Sequence, residues 1–587
     1  MKQAGNRLPQ YRSAEELEHY LGGSEDQSNA FSFAAAVELD EREEYPRQAS
    51  DMLDEWNFQQ FCVPEEYGGK LKTFEELCAL LRLVARRDPT VAYVTLGTFF
   101  GSINVWMEGT AEQKRRVTAI IEGNGRLAGG FTERDHGNDL LAGEVRAVRT
   151  ADGYVLSGEK WPLTHATRSK ALAVLARTDE KGGPRGFSMF LVEKDRLDGA
   201  SYRCLPKLKT HGVRGADVSG LRFDRCQLQH DALIGREGSG LDLLLKFTQV
   251  TRTVMPAISL GAVDTALRAT MSFALSRKLY GDTVFAIPHA RRVLVDSFLD
   301  LLICECVAVG AVRSVQAAPE QMSVWAAVDK YWVSTVAEKI IANLAVVLGA
   351  RYYLREGHWS GIFQKLARDA GIVSLGHVAH VFNLSAIAQQ LRDVAKRRAR
   401  MQSTPDQMSS SLESIFSLDR PLPAFDPKRL GILNHGRDDV TQGIELSLDR
   451  VQTLHGERHA DSRLIEIISS LGSELLEAMK VNDRLAQDMK NDASSVRSAE
   501  MYDLARRHCA IHAAASCLHM WIHNRASLSE FFGTGEWLAL SMERLLVSLG
   551  HRPRPVPHAY VENAARELSR LYVDNKLFSS LIPLDVK

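Results

Sequence analysis

The sequence lacks the features that would assign it at once to a disulfide-rich or nucleic-acid-binding class. Only 8 of its 587 residues are cysteines and none forms a CxxC pair, so we expect reduced, buried thiols rather than a disulfide framework. No long basic run is present, and 72 Lys and Arg residues balance 73 Asp and Glu residues at a net charge of −1. Because phosphate binding needs clustered cations, nucleic acid is not an expected partner.

Long apolar runs are also missing. We find no 18-residue stretch that is both free of charge and long enough to span a bilayer, and the first residues have no apolar core like that of a secretory signal. We therefore expect a cytoplasmic protein with no membrane partner. What is present is the composition of an ordinary globular protein, 45% hydrophobic and 25% charged, with a length that suits several domains.

The periodicity of apolar residues divides the chain into five parts. Residues 1–125 are predicted to be helical, whereas 126–238 carry short β-branched runs separated by Gly, Asp and Pro. Long helical patterns return at 239–400 and predict a four-helix bundle. A linker rich in Ser, Pro and Asp at 401–428 leads to a second helical domain at 429–587. The predicted fold class is mainly α with a β-barrel insert.

Local signals support these assignments. Thr110 is a predicted helix N-cap before AEQKRRVTAIIEGN. In the C-terminal block the apolar spacing predicts one buried helical face, made of Leu464, Ile468, Leu471, Leu475 and Met479. Later helices are predicted at about 496–526, 527–549 and 558–578.

One glycine-rich stretch is a poor candidate for a dinucleotide site. GREGSG at 235–240 has suitably spaced glycines, but it follows the β-rich segment and no βαβ unit surrounds it. We interpret it as a turn followed by a helix start.

Seven short motifs, in order and at fitting separations over about 45–395, resemble those of acyl-CoA dehydrogenases. They are VPEEYGG (63–69), GFTERDHGND (130–139), SGEKWPLTHA (157–166), THGVRGADVSGLRFD (210–224), ALIGREGSGL (232–241), ALSRKLYG (274–281) and KLARDAGI (365–372). The resemblance implies a helical N-terminal domain, a small middle β-barrel, a four-helix domain and bound FAD.

The same resemblance implies which residues would contact FAD. Hydroxyl donors suit the flavin ring and guanidinium suits its pyrophosphate. The positions carried over are Phe131, Thr132, Asn138, Leu163, Thr164, Arg277, Tyr280, Gly349, Ala379 and His380. Two positions differ from the family pattern. Pro162 stands where the family has a flavin-stacking tryptophan, and Ala350 stands where it has a second glycine. Trp161, one position earlier, is as compatible with core packing as with cofactor contact.

The resemblance also implies the substrate site. Arg252 would lie near the thioester or pantetheine, with Thr251 and Asn138 close to the substrate. Family chemistry is α,β-dehydrogenation, in which a glutamate takes the α-proton. Here the glutamate position is His377, and the alternative base position on an earlier helix is Thr251. Imidazole titrates near neutral pH, so His377 is the predicted base, with a structural histidine as the other interpretation.

Several functions therefore stay open. The leading prediction is an FAD-dependent dehydrogenase or oxidase of an acyl thioester, carried by CoA or by an acyl carrier protein. Its base could be His377 or another, unplaced acid. The alternatives are a two-component flavin monooxygenase on the same fold and a non-catalytic FAD-binding homologue. Electron-transfer flavoprotein or oxygen would accept the electrons.

The extension beyond about 425 resembles, in length and helicity, the extra domain of very-long-chain acyl-CoA dehydrogenases and acyl-CoA oxidases. In those groups it takes the place of a second dimer, so a homodimer is expected. Four histidines in this extension share one helix face: His508, His512, His519 and His523. With no carboxylate partner evident, we interpret them as a polar face rather than a metal site.

Overall fold

The computed structural model describes residues 8–376, 378–400, 405–454, 461–490, 492–582 and 584–587. The chain begins with helices, as predicted: α1 (Arg12–Leu21), α2 (Phe33–Glu41), α3 (Arg47–Glu55), α4 (Phe74–Arg87), α5 (Pro89–Glu108) and α6 (Ala111–Glu122). The predicted N-cap is confirmed, because the Thr110 hydroxyl accepts from the Gln113 N–H and the Gln113 side chain returns a bond to the Thr110 backbone.

The middle segment forms the predicted β-domain. Its strands are β1 (Arg126–Gly130), β2 (Arg146–Arg149), β3 (Gly153–Thr164), β4 (Ser169–Arg177), β5 (Phe187–Glu193), β6 (Tyr202–Cys204), β7 (Val218–Gln229) and β8 (Leu233–Ile234). They form one sheet in the order β6-β7-β3-β2-β4-β5-β8, and β1 pairs in parallel with β4. Inward-facing apolar side chains fill the core, among them Leu156, Leu172, Val174, Phe190 and Leu221.

A helical bundle follows the sheet. Its helices are α7 (Gly240–Val254), α8 (Pro256–Ser276), α9 (Pro288–Ala317), α10 (Met322–Leu348), α11 (Ile362–Asp369), α12 (Gly371–Leu375) and α13 (His380–Ala399), with a short hairpin of β9 (Lys278–Leu279) and β10 (Asp282–Thr283) after α8. The stretches 319–353 and 358–399 are apolar and long enough to cross a membrane, a test that core helices also pass. Within the bundle α10 packs against α8, α9 and α13.

The segment after residue 428 is helical, as predicted, but the predicted linker at 401–428 also contains a helix, α14 (Pro405–Phe416). The later helices are α15 (Asp439–Gln442), α16 (Ile444–Thr453), α17 (Ser462–Asp488), α18 (Ala493–Val496), α19 (Ala499–Asn524), α20 (Glu530–Thr534), α21 (Glu536–Ser548) and α22 (His558–Val573). The apolar stripe predicted on α17 is buried from Leu464 to Met479. The block packs on the bundle through α19 against α9 and through α17 against α13.

Most of the apolar side chains near the end of the chain are buried. Leu577, Phe578 and Leu581 are almost fully enclosed. The Phe578 N–H donates to Asp264 Oδ2 at 2.8 Å, and Asp264 Oδ1 accepts from Arg86 Nε at 2.7 Å. The C-terminal segment is thereby joined to α8 and α4 through one buried carboxylate.

By its contacts the chain divides into two compact units. One comprises the chain up to Gly22 with Thr73–Arg86 and Arg252–Lys587, and the other comprises Gly23–Lys72 with Arg87–Thr251. The predicted N-terminal helical segment therefore contributes to both units. The boundary near residue 251 falls inside α7, so the predicted site residues are distributed over two units.

Candidate active site

The loop after β1 and the end of β3 come together in the unit that carries the sheet. The Trp161 N–H donates to the Thr132 carbonyl at 3.0 Å, and the Thr132 hydroxyl donates to the Pro162 carbonyl at 3.3 Å. Phe131 packs on Phe247 with ring centroids 4.9 Å apart. Phe131 and Thr132 are half-buried, and Pro162 is exposed. The two flavin-edge segments implied by the motifs therefore form one surface.

The next two predicted residues are already engaged with protein. Leu163 is 2% exposed and lies in the hydrophobic core of the sheet, so its side chain is not available to a ligand. The Thr164 hydroxyl donates to Tyr93 Oη at 2.8 Å. Burial raises the pKa of Tyr93, so this phenol stays protonated at neutral pH.

The turn between Glu133 and Asp139 holds another predicted residue of this unit. Asn138 is half-buried there. Beside it in sequence, the exposed Arg134 guanidinium lies 4.4 Å from the centre of the Trp161 ring and pairs with Glu159 at 3.0 Å. Trp161 is thus covered by a cation from the same turn.

Helix α7 presents one buried hydroxyl and one buried cation. Thr251 is fully buried, and its hydroxyl donates to the Phe247 carbonyl at 3.1 Å. Arg252 is 8% exposed, and its Nε has no acceptor among the residues the structure describes. Burial lowers the pKa of Arg252 to about 10, which still leaves it charged at neutral pH. A buried cation without a counter-charge is costly, and such sites commonly serve ligands.

A second buried cation lies in the same unit. Lys330 on α10 is 0% exposed, with its Nζ 3.0 Å from Met255 Sδ and 3.4 Å from the Gly376 carbonyl oxygen. Burial and then the charge of Arg252 lower the pKa of Lys330 well below its ordinary value, although Asp329 opposes them. The amine is therefore able to exchange a proton nearer neutrality than an ordinary lysine.

The loop between α12 and α13 carries the predicted base. His377 itself lies outside the described residues. On either side of it, the Gly376 carbonyl accepts from Lys330 and the Val378 carbonyl accepts from Asn383 Nδ2 at 3.1 Å. Val378 has φ +70°, a conformation that β-branched residues rarely adopt. The backbone that flanks position 377 is therefore held by two side chains.

The two predicted residues after this point begin α13. Ala379 is its N-cap residue, and His380 is the first helical residue. His380 Nε2 lies 2.9 Å from Ser334 Oγ, and its ring meets Tyr331 edge-on at 5.2 Å. Burial and then Lys330 lower the pKa of His380, so it is neutral at pH 7.

The predicted pyrophosphate and adenine contacts lie on the surface of the bundle unit. Arg277 at the end of α8 is exposed, and Tyr280 is fully exposed with φ +55°. Gly349 is exposed with φ +56°, and nothing lies within 4 Å of where its Cβ would be, whereas its neighbour is Ala350. An open backbone and an exposed guanidinium suit a phosphate-bearing ligand.

Of the four helix-face histidines of the extension, His508 and His512 lie near each other, with ring centroids 6.4 Å apart, and His519 and His523 contact other groups. His508 Nε2 lies 3.6 Å from Asp438 Oδ2, whereas His519 bonds Ser447 Oγ at 2.8 Å and the Val440 carbonyl at 2.7 Å. His523 Nδ1 lies 3.3 Å from Ser417 Oγ. In the described parts of the chain, no group of three or more His, Cys, Asp or Glu side chains is arranged to hold a metal.

Sequence reasoning missed the buried pair Asp329 and Lys330. Both are fully buried on α10, and neither carboxylate oxygen of Asp329 has a hydrogen-bond partner in the described structure. Burial raises the pKa of Asp329 well above its ordinary value, although the charge of Lys330 opposes the shift. The available signal was an acidic and a basic residue side by side within the apolar helix VWAAVDKYWV.

Comparison with known proteins gives consistent matches. Three family models match in order: "Acyl-CoA dehydrogenase, N-terminal domain" at 32–123, "middle domain" at 128–226 and "C-terminal domain" at 238–377, which together cover more than half of the chain. The chain is 26% identical over 341 residues to the "probable acyl-CoA dehydrogenase fadE25" of Mycobacterium leprae, covering 58% of this chain and 86% of that protein.

Solved structures share the fold. A Bacillus anthracis acyl-CoA dehydrogenase complexed with FAD is similar over 96% of this chain and 95% of its own, at a TM-score of 0.66 and 15% identity. Butyryl-CoA dehydrogenase of Megasphaera elsdenii is similar over 65% of this chain and 97% of its own, at a TM-score of 0.59 and 22% identity. The first of these extends the likeness in fold to the C-terminal helices.

Proposed function

The chain belongs to the acyl-CoA dehydrogenase family, and we propose on that premise that it oxidises the α,β-bond of an acyl thioester with an unusual proton acceptor. Members of this family are FAD-dependent oxidoreductases that act on CH–CH groups. The proposal specifies which residues of this chain bind the ligands and which group moves the proton.

Each unit, taken by itself, carries residues that suit FAD. On the β-domain, Thr132 joins the β1 loop to the end of β3, and Phe131 and Pro162 flank the same surface. On the bundle unit, Arg277 offers paired donors to phosphate and Gly349 offers an unobstructed backbone. When bound, FAD supplies the hydride acceptor.

The observation that carries the proposal is the buried guanidinium of Arg252, whose Nε has no acceptor among the described residues. Removing the α-proton of a thioester develops negative charge on its carbonyl oxygen. A cation that is already desolvated stabilises such charge more strongly than one in water. In the described structure the amine of Lys330 donates to a thioether and a carbonyl rather than to a carboxylate. This end of the bundle therefore favours a ligand with negative or developing negative charge.

We propose His377 as the acceptor of the α-proton. Supporting this, the carbonyls of the two flanking residues, Gly376 and Val378, each accept a side-chain hydrogen bond. The acceptor would need to be neutral at working pH, which the ordinary pKa of histidine allows. Thr251 is unsuitable, since its hydroxyl is buried and donates within its own helix.

The remaining assignments follow from the family. We propose acyl-CoA as substrate, with an acyl carrier protein thioester as the alternative that shares the pantetheine arm. We further propose a cytoplasmic homodimer that passes electrons to electron-transfer flavoprotein or to oxygen. Exposed apolar side chains near the loops of the bundle unit support self-association: Tyr280, Tyr353, Leu354, Leu375, Val381 and Phe382.

Anaerobic mixing of the FAD-loaded protein with a panel of acyl-CoA thioesters tests the function. The proposal expects rapid bleaching of the visible flavin band by at least one chain-length class and formation of the enoyl product. His377→Ala should slow bleaching by about a hundredfold or more while leaving FAD bound. No bleaching by any thioester, combined with oxygen-dependent turnover of supplied reduced flavin, would instead identify a monooxygenase.

A further inference from the structure

A buried ion pair lies directly behind the flavin-edge surface of the β-domain. Lys160 Nζ is 2.7 Å from Glu133 Oε1, and these residues are 2% and 7% exposed. Lys160 belongs to β3, whereas Glu133 belongs to the loop that follows β1. The pair joins two segments that are 27 residues apart in sequence.

Each side chain of the pair also forms hydrogen bonds with backbone groups. Lys160 Nζ lies 3.3 Å from the Phe131 carbonyl oxygen. Glu133 Oε2 accepts from the Glu144 N–H at 2.7 Å, and Glu133 Oε1 accepts from the Val145 N–H at 3.1 Å. One carboxylate and one ammonium therefore fix the start of the 131–145 loop, its end and the adjacent strand.

The surroundings leave little room for this loop to shift. A Cβ at Gly158 would lie 2.8 Å from Val145 Cγ2, and one at Gly143 would lie 3.2 Å from Glu133 Oε1. Burial raises the pKa of Glu133, but Lys160 and the two backbone N–H groups outweigh it and hold that pKa below its ordinary value. The carboxylate stays ionised and keeps all three donors.

We propose that Glu133 and Lys160 are positioning residues for the cofactor, holding the 131–145 loop so that the Phe131–Thr132 backbone and the Thr132 side chain meet the flavin. This inference rests on the proposed FAD-dependent function. A buried ion pair is weak evidence for stability alone, because desolvation offsets most of the attraction. Its exacting geometry instead suits a loop that must be held to within a fraction of an ångström.

The alternative is a purely structural pair that supports the sheet. The two roles differ in what a variant changes. A structural pair would alter the unfolding temperature and leave the affinity of the folded protein for FAD unchanged. A positioning pair would weaken FAD binding and alter the flavin spectrum in protein that is still folded.

The chain offers a matched control pair. Arg126 and Asp54 belong to the same unit and form a two-pronged ion pair at 2.7 and 2.9 Å, with side chains 11% and 14% exposed. Neither residue is among those proposed to bind ligands. Asp54→Asn therefore removes a comparable pair without touching the 131–145 loop.

The experiment compares wild type, Glu133→Gln, the double variant Glu133→Gln/Lys160→Met and Asp54→Asn. FAD affinity is measured by flavin fluorescence, and amide hydrogen exchange is followed over 131–145. Glu133→Gln keeps the shape of the side chain but loses an acceptor, and the double variant removes both charges so that no unpaired ion is buried. We expect the Glu133 variants to bind FAD about tenfold or more weakly and to exchange the Glu144 and Val145 amides faster.

Three outcomes would overturn the inference. One is wild-type FAD affinity and spectrum in a folded Glu133→Gln variant. The second is an equal loss of affinity in Asp54→Asn, which would make the effect general to the unit. The third is unchanged exchange in the 131–145 loop of the Glu133 variants. If wild type itself bound no FAD, the proposed function would fail instead.

Discussion

Lys330 Nζ lies 3.4 Å from the carbonyl oxygen of Gly376, the residue that precedes the position of the expected base. The two residues are 46 positions apart, and a fully buried amine joins them. This contact joins helix α10 to the loop that contains the predicted base. The amine that makes it has a pKa lowered well below its ordinary value.

Replacing this lysine should impair turnover more than stability. Lys330→Met removes a buried cation and keeps an unbranched side chain, so we expect little change in unfolding temperature. Without the contact to Gly376 the loop is held less firmly, and kcat should fall about tenfold or more. Steady-state kinetics over a range of pH measures this. Lys339→Met, an exposed position on the same helix, is the control. A kcat equal to that of wild type would refute the role of the contact.

Replacing Arg252 should reduce activity without reducing stability, whereas replacing a structural arginine would mainly reduce stability. Arg252→Gln removes a charge that has no partner in the described structure, so stability should rise or stay unchanged. If the guanidinium stabilises developing negative charge, kcat/KM should fall by about 10²–10³. Thermal unfolding and stopped-flow flavin reduction give the two quantities. Full activity in Arg252→Gln would remove the observation on which the proposed function depends.

The buried carboxylate Asp264 should be a stability residue. It accepts from Arg86 Nε and from the Phe578 N–H, and Asp264→Asn would leave buried Arg86 with a weaker partner. We expect a loss of about 3–5 kcal/mol in the free energy of unfolding, measured with urea. Hydrogen exchange over 577–582 should accelerate. Glu16→Gln, which breaks an exposed pair with Arg12, should cost no more than about 1 kcal/mol.

Acid should destabilise the C-terminal extension through its buried histidines. Burial lowers the pKa of His512 to about 4 and that of His519 to about 3, although Asp438 opposes the effect on His512. A histidine whose folded pKa lies below its unfolded value of about 6.5 contributes stability that is complete above pH 6.5 and is lost as pH falls toward 4.

His512 offers the sharpest test of this pH dependence, because its Nδ1 is buried without a partner in the described structure. His512→Leu should lose less stability than wild type between pH 7 and pH 4, by up to about 3 kcal/mol. Urea unfolding at the two pH values measures the difference. An equal pH dependence in both proteins would show that His512 does not titrate on unfolding.

Much of the fold could be predicted from sequence because its signals are local. Helix N-caps such as Thr110, the stripe from Leu464 to Met479 on α17 and the β-branched middle segment each depend on neighbours a few residues away. The ordered motifs indicated the family, which the matched domains show. Which residues bind the ligands stays a prediction, and the placement of His377 lies outside the described residues.

The sequence by itself thus determined the family and the order of helical and β segments, and it predicts that His377 stands where the family has its usual carboxylate. Only the tertiary structure decided which charged groups are buried with an atom left unpaired in the described parts of the chain, as for Arg252 Nε, and which are tied to distant backbone, as for Lys160 and Lys330. The reason is physical. Burial and ion pairing depend on segments brought together from tens of residues apart, and the free energy of a charge depends on those surroundings rather than on its neighbours in sequence.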